Sequence, residues 1–174
     1  MIDRKIVWTI GHSTRPFEEF ADLLVEHQIQ QLIDIRRYPG SRKFPQYNKE
    51  TLAKSLAELG IRYTHIEGLG GRRNPRPDSI NMAWRVRAFR GYADYMETDE
   101  FKNSVNKLEL LASSSRCVYM CSEAVWWSCH RALVSDYLKM RGWEVIHILS
   151  KDKDQEHPYT KAATIIHGAL QYTL

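Results

Sequence analysis

The sequence predicts a single α/β domain built on a mainly parallel five-stranded sheet with helices on both faces. Apolar runs of strand length alternate five times with stretches of helical spacing, the pattern of βα units rather than of a bundle or a sandwich. The 174 residues amount to about one domain. No internal repeat or low-complexity tract divides them. Residues 1–174 therefore read as one unit, with a core over about 5–150 and a C-terminal tail and helix over 151–174.

The first strand, residues 5–10, is a continuous apolar run of the kind buried on both faces. It breaks at Gly11, and Pro16 suits the first turn of a helix in which Phe17, Phe20, Ala21 and Leu24 share a face. Glu18 and Glu19 favour that helix's positive end. Residues 31–35 form the second strand and lead into the basic loop from Arg36 to Ser41. Asn48 can cap the next helix, whose stripe is Leu52, Leu56 and Leu59, and Gly60 closes it. Residues 61–66 are the third strand. A long connection over 67–98 opens on Gly68, Gly70 and Gly71 and holds an arginine-rich segment. Gly68-Leu69-Gly70-Gly71 lacks the G-x-G-x-x-G spacing of a dinucleotide site and reads as a turn. Asp99 then caps a helix bearing Phe101, Val105, Leu108 and Ala112. The fourth strand is 116–120, followed by a helix from about Cys129 to Arg141 with Ser128 as its cap. Gly142 ends that helix and 143–149 is the fifth strand. Ala162, Ile165, Ile166 and Ala169 suggest a final helix.

Composition narrows the function classes. A hydrophobic content of 43% and a charged content of 26% describe a folded chain. No apolar run approaches the roughly 18–20 residues that cross a bilayer, and the N-terminus lacks a signal-peptide core, so no membrane is expected as partner. Three cysteines crowded into residues 117–129 argue against a disulfide framework and for a reducing, cytoplasmic setting. The windows 36–47 and 72–90 hold ten of the 25 basic residues and one of the 21 acids. Such segregation can focus a positive field on an anionic partner, although arginines on long loops also serve as solvated surface.

In an open parallel sheet, ligands bind beyond the carboxyl ends of the strands. The loops there carry His12 and Ser13, then Asp34, Arg36, Arg37 and Ser41, then Cys121 and Glu123, then Cys129, His130 and Arg131. Taken singly, each has a structural explanation: His12 as a backbone partner, Asp34 paired with Arg36, Cys129 as a small buried side chain with Arg131 pairing to Glu123. Their gathering on one sheet edge is what a purely structural protein does not need. A helix start would lower the pKa of Cys129 and cradle an anion beside Arg131. Phosphatase-type Cys-x₅-Arg is absent, since Trp127 and Ser135 stand at that offset. No cysteine-headed glycine-rich loop of the rhodanese kind follows Met120, and no G-x-S-x-G elbow occurs.

Thr9-Ile10-Gly11-His12-Ser13, the run from Asp34 to Ser41, Cys121-Ser122-Glu123, Cys129-His130-Arg131 and the trailing His157-Pro158-Tyr159-Thr160 together resemble the family called domain of unknown function 488. The likeness runs from about residue 7 to 160. It implies a compact α/β domain in a cytoplasmic, prokaryotic-type protein and supplies no reaction.

The residues point to an enzyme on a phosphate-bearing substrate, nucleic acid or nucleotide, hydrolysing a phosphodiester or an N-glycosidic bond. Cys129 is the candidate nucleophile, and Glu123, Asp34 and His12 are the acid–base candidates. Ser13, Arg36, Arg37, Ser41, Cys121, His130 and Arg131 are expected to bind substrate. Arg72, Arg73, Arg85, Arg87 and Arg90, with Trp84 as a stacking platform, would extend a track for nucleic acid. No resident cofactor is specified. The alternatives are a module binding zinc, iron or a redox cofactor through the cysteines and histidines, and a non-catalytic nucleic-acid-binding protein.

Overall fold

A computed structural model describes residues 4–174. The chain runs β1 (Ile6–Gly11), α1 (Phe17–Glu26), β2 (Gln31–Asp34), α2 (Lys49–Glu58), β3 (Arg62–His65), α3 (Arg87–Tyr95), α4 (Asp99–Ser114), β4 (Cys117–Cys121), α5 (Arg131–Met140), β5 (Glu144–Ser150), β6 (Lys153–Glu156), β7 (Thr164–Ile166) and β8 (Ala169–Gln171). The main sheet has the order β3-β2-β4-β1-β5-β6, and β7-β8 is a separate hairpin. Every pairing among β1 to β5 is parallel, as the βα alternation predicts. A sixth strand, β6, adds antiparallel to β5. Its sequence is Lys-Asp-Gln-Glu, with no apolar period to announce it.

Alternation of side chains along the buried strands splits the core in two. Trp8, Ile10, Leu32, Val118, Met120 and Ile148 pack on α1 and α2 through Phe20, Leu24, Leu52 and Leu56. On the opposite face Val7, Ile33, Tyr119 and Val145 meet α3, α4 and α5 through Tyr92, Phe101, Leu108, Leu133 and Leu138. The helix after β1 thus lies on one face and the helix after β4 on the other, although β1 and β4 are neighbours. Connections diverge at that pair, and a crevice opens above its carboxyl ends.

Several local expectations change. The arginine-rich connection contains α3, whose first turn is set by packing rather than by a capping side chain. Thr98, not Asp99, caps α4, its hydroxyl accepting from Phe101 N. Asn48 stands at the start of α2, but its side chain accepts from Ser41 N instead. The fifth helix begins at Arg131 with His130 at its cap; Ser128 closes a short 3₁₀ turn and Cys129 is extended. The final helix is instead the β7-β8 hairpin. His167 and Gly168 both have positive φ, 50° and 76°, as a two-residue primed turn requires. The β-branched pair Ile165 and Ile166 suits the strand before that turn.

Candidate functional site

The hydrogen-bond ladder continues past the ends of β1, β2 and β4. His12 N donates to Cys121 O, Ser13 N to Ser122 O, and Ile35 N to Met120 O. Gly11 makes this possible, because a Cβ there would lie 1.6 Å from the Glu123 carbonyl oxygen. Loops far apart in sequence are thereby pinned side by side around a cavity of about 620 Å³. Its lining includes His12, Ser13, Arg36, Arg37, Ser41, Cys121, Glu123, Cys129 and His130, together with Tyr38, Phe44, Arg72, Phe89 and Tyr92.

Asp34 is wholly buried and its carboxylate is saturated. One oxygen accepts from Arg36 N and Nε (3.1 and 2.9 Å), the other from Arg36 Nη2 and the Tyr63 hydroxyl (2.8 and 2.5 Å). It is a clamp on Arg36, with no lone pair presented to the cavity. Arg36 Nη2 also donates to Tyr47 O, and Nη1 reaches His12 Nε2 at 3.3 Å. Four of its five N–H groups are thus engaged, and the fifth, on Nη1, is left for a ligand.

His12 stacks on Tyr47 with ring centroids 4.3 Å apart and bonds Ser13 O through Nδ1 at 2.9 Å. Since Arg36 can only donate, Nε2 is the accepting nitrogen and the ring is neutral. Burial holds its pKa down to about 4; the Ser13 bond opposes this and the Arg36 charge reinforces it. With its lone pair directed at Arg36, His12 is an orienting residue rather than a poised base. A stability effect follows, with its sign fixed. Above the unfolded pKa of about 6.5 both states are neutral, and the full stability is present. As the pH falls toward 4 the unfolded chain takes up a proton that the fold refuses, and roughly 3 kcal/mol is lost. Urea titrations at pH 7 and pH 4.5 should show that loss, reduced by about that amount in His12→Gln; an unchanged difference would refute it.

The two cysteines meet at the buried end of the cavity. Cys121 Sγ and Cys129 Sγ are 2.8 Å apart, and Arg131 N donates to Cys129 Sγ at 3.4 Å. Burial alone would raise the Cys129 pKa. It is outweighed by the Cys121 S–H bond and by the Arg131 charge, so the Cys129 pKa is held down to about 5 while burial pushes the Cys121 thiol up. A helix N-terminus, the expected cause, is not the main one, because Cys129 lies outside the helix. His130 Nε2 donates to Ile35 O at 2.9 Å, leaving Nδ1 as its unprotonated nitrogen.

Arg131 is 1% exposed and does not reach for a ligand. It donates to Glu123 O (2.8 Å) and to Thr9 Oγ1 (3.2 Å), and its Nε is buried without a partner. Thr9 Oγ1 lies 2.5 Å from His147 Nδ1, its cross-strand neighbour. His147 Nε2 is 2.9 Å from His157 Nδ1, and His157 Nε2 is 2.8 Å from Asp136 Oδ1. Asp136 also accepts from Thr160 N, the Thr160 hydroxyl and the Tyr172 hydroxyl. A buried chain of hydrogen bonds therefore runs from guanidinium to carboxylate and locks Arg131 under the sulfurs. Sequence reasoning singled out neither His147 and Asp136 nor Tyr63 and Tyr47. Thr9, His157 and Thr160 were visible only as members of the family-like motifs.

The basic windows divide. Arg36, Arg37 and Arg72 line the cavity, and the guanidinium carbons of Arg37 and Arg72 lie 5.5 and 5.9 Å from the Tyr38 ring. Arg73 is folded onto Tyr95 at 3.7 Å, and Arg90 is tied to Trp84 O. Trp84 is half-buried against Phe89 and Tyr172 rather than presented as a platform. Arg85 and Arg87 are exposed and do not line the cavity. Cys121, Cys129 and His130 are metal-ligating types, but among the described residues no group of three or more His, Cys, Asp or Glu converges as a metal site would require. No helix among the described residues is long and apolar enough to cross a membrane.

A family model described as a domain of unknown function, DUF488, matches residues 16–138. No curated protein and no solved structure matches.

Proposed function

Starting from the fact that the chain belongs to the DUF488 family, whose name specifies no reaction, we propose that it is an enzyme using Cys129 as nucleophile on a phosphate-bearing substrate of nucleotide size. The observation that carries this reading is the Cys129 sulfur, beside the Arg131 charge that lowers its pKa, at the buried end of an arginine-rimmed cavity. Its volume falls within the roughly 300–1,000 Å³ of small-molecule sites. The free N–H of Arg36 and the forks of Arg37 and Arg72 would hold phosphate. Tyr38, Phe44 and Phe89 offer apolar and aromatic surface to a nucleoside.

Cys129 would attack phosphorus or the anomeric carbon, the leaving group would depart with a proton, and water would release the adduct. Among the described residues the Glu123 carboxylate and His130 Nδ1 make no hydrogen bond within the chain, so these are the proton carriers we assign. Asp34, His12 and Arg131 act as positioning residues, fixing Arg36 and the thiolate. A nucleotide is favoured over a polymer because Arg73, Arg90 and Trp84 are engaged internally.

Calorimetric titration of nucleoside phosphates and sugar phosphates, under reducing conditions, tests the reading. Binding is expected, and Arg37→Ala with Arg72→Ala should weaken it by about ten-fold or more, the scale of charge-assisted hydrogen bonds. Absence of binding would overturn the substrate class. Salt-steep binding of single-stranded oligonucleotides, lowered by Arg85→Ala with Arg87→Ala, would move the substrate to nucleic acid.

A further inference from the structure

Two free cysteine sulfurs stand 2.8 Å apart in hydrogen-bond contact, and both line a cavity open to small molecules. Hydrolysis needs one nucleophilic sulfur, so the second calls for its own explanation. A merely structural cysteine is shown by Cys117, which is wholly buried, bonded to Ser115 and absent from the cavity. Its thiol is pushed up by burial. Cys121 and Cys129 instead both line the cavity and touch each other, and only Cys129 has its thiol pKa pulled down. Arg131, itself immobilised through Thr9 and Glu123 O, places a fixed positive charge beside them.

We propose that Cys129 and Cys121 form a two-electron redox pair that reduces a hydroperoxide and closes as an intramolecular disulfide. The proposal rests on the same reading of Cys129 as nucleophile but not on any phosphate substrate. In the first step Cys129 sulfur attacks the terminal peroxide oxygen. The S–O bond forms, the O–O bond breaks, and the departing alkoxide takes a proton from water at the cavity mouth. Cys129 is then a sulfenic acid. In the second step Cys121 sulfur attacks Cys129 sulfur, and the hydroxyl leaves with the Cys121 proton as water. Thiolate, thiol, ROOH and one proton thus give disulfide, ROH and water. The sulfurs are oxidised by two electrons and the peroxide is reduced by two. A small-molecule thiol restores the pair by exchange. The closed form has no thiolate, so oxidation also switches off chemistry at the cavity.

Intact-protein mass spectrometry after hydrogen peroxide treatment, with no nucleotide present, tests this directly. The parent protein should lose about 2 Da, reversibly by dithiothreitol, with Cys121 and Cys129 joined in the peptide map. Cys117→Ser should behave as the parent does. Cys121→Ser should instead gain about 16 Da and become reactive to dimedone at Cys129. Cys121→Ala serves if that variant does not fold. Accumulation of about 16, 32 or 48 Da in the parent without disulfide would overturn the pairing. A parent protein left unmodified by peroxide that oxidises a free thiol would overturn the activity. Neither outcome depends on nucleotide binding, so the two proposals can fail separately.

Discussion

Between pH 6 and pH 8 the alkylation rate of Cys129 by iodoacetamide should change by less than about two-fold, whereas an ordinary thiol with a pKa near 8.5 speeds up roughly 70-fold over that range. Only the thiolate reacts, so the rate follows its population. With the Cys129 pKa held down to about 5, the side chain is already mostly thiolate at the lower pH. The flat profile is the diagnostic, rather than the absolute rate at pH 7, because a less basic thiolate is also a weaker nucleophile. Burial opposes the thiolate, and the Cys121 S–H bond and the Arg131 charge overcome it. Cys121→Ala should therefore restore a steep profile, and Arg131→Gln should shift it part of the way. Cys117, wholly buried with its pKa raised, should label negligibly across the range. A steep profile for Cys129 in the parent protein would remove the nucleophile and with it the proposed chemistry.

Asp34→Asn should cost about 3–5 kcal/mol of folding stability, the scale for removing one partner of a buried ion pair. In a chain of this size that lowers the melting temperature by roughly 10 °C. Asp34 faces a guanidinium, a backbone N–H and a phenol, all donors, and an asparagine would turn its own NH₂ toward one of them. Arg36 would then be a buried cation without its counter-charge. Because Arg36 also supplies the free N–H in the cavity and bonds His12, the variant should weaken phosphate binding as well. Urea denaturation gives the stability change, and the companion Arg36→Met with Asp34→Asn should recover part of the loss by removing the orphan charge. A loss below about 1 kcal/mol would show that the pair contributes little and that Asp34 is free for another role.

How the site could be read from sequence differs residue by residue. His12, Arg36, Cys121, Glu123 and Cys129 follow strand ends, and strand ends are legible because an apolar run stops at a glycine, a charge or a turn. Their nearness was therefore predictable from topology alone. Their states were not. Asp34, the last residue of β2, and Glu123, just after β4, are both acids at strand ends, yet one is saturated by Arg36 and Tyr63 and the other is exposed. The separation depends on Tyr63, 29 residues away. Arg131 looked like a ligand fork on helix spacing, and it is the buried end of a hydrogen-bond chain whose next member, Thr9, is 122 residues distant.

The sequence by itself determined the βα alternation, the parallel sheet, the two apolar faces and the set of loops from which a site could be made. These depend on side-chain period and on turn residues, which act over a few positions of chain. The tertiary structure alone decided that β4 inserts between β2 and β1, and so which loops touch. It decided that Cys121 and Cys129 share one contact while Cys117 shares none with them, and that Arg72 faces the cavity while Arg73 does not. It also turned the expected last helix into a hairpin, where helical spacing and strand pairing competed over a few exposed residues. Hydrogen-bond partners, burial and the pKa shifts they cause are fixed by strand order and by how the loops fold onto one another. Those contacts span from eight residues between Cys121 and Cys129 to 122 between Thr9 and Arg131, and side-chain period does not encode them.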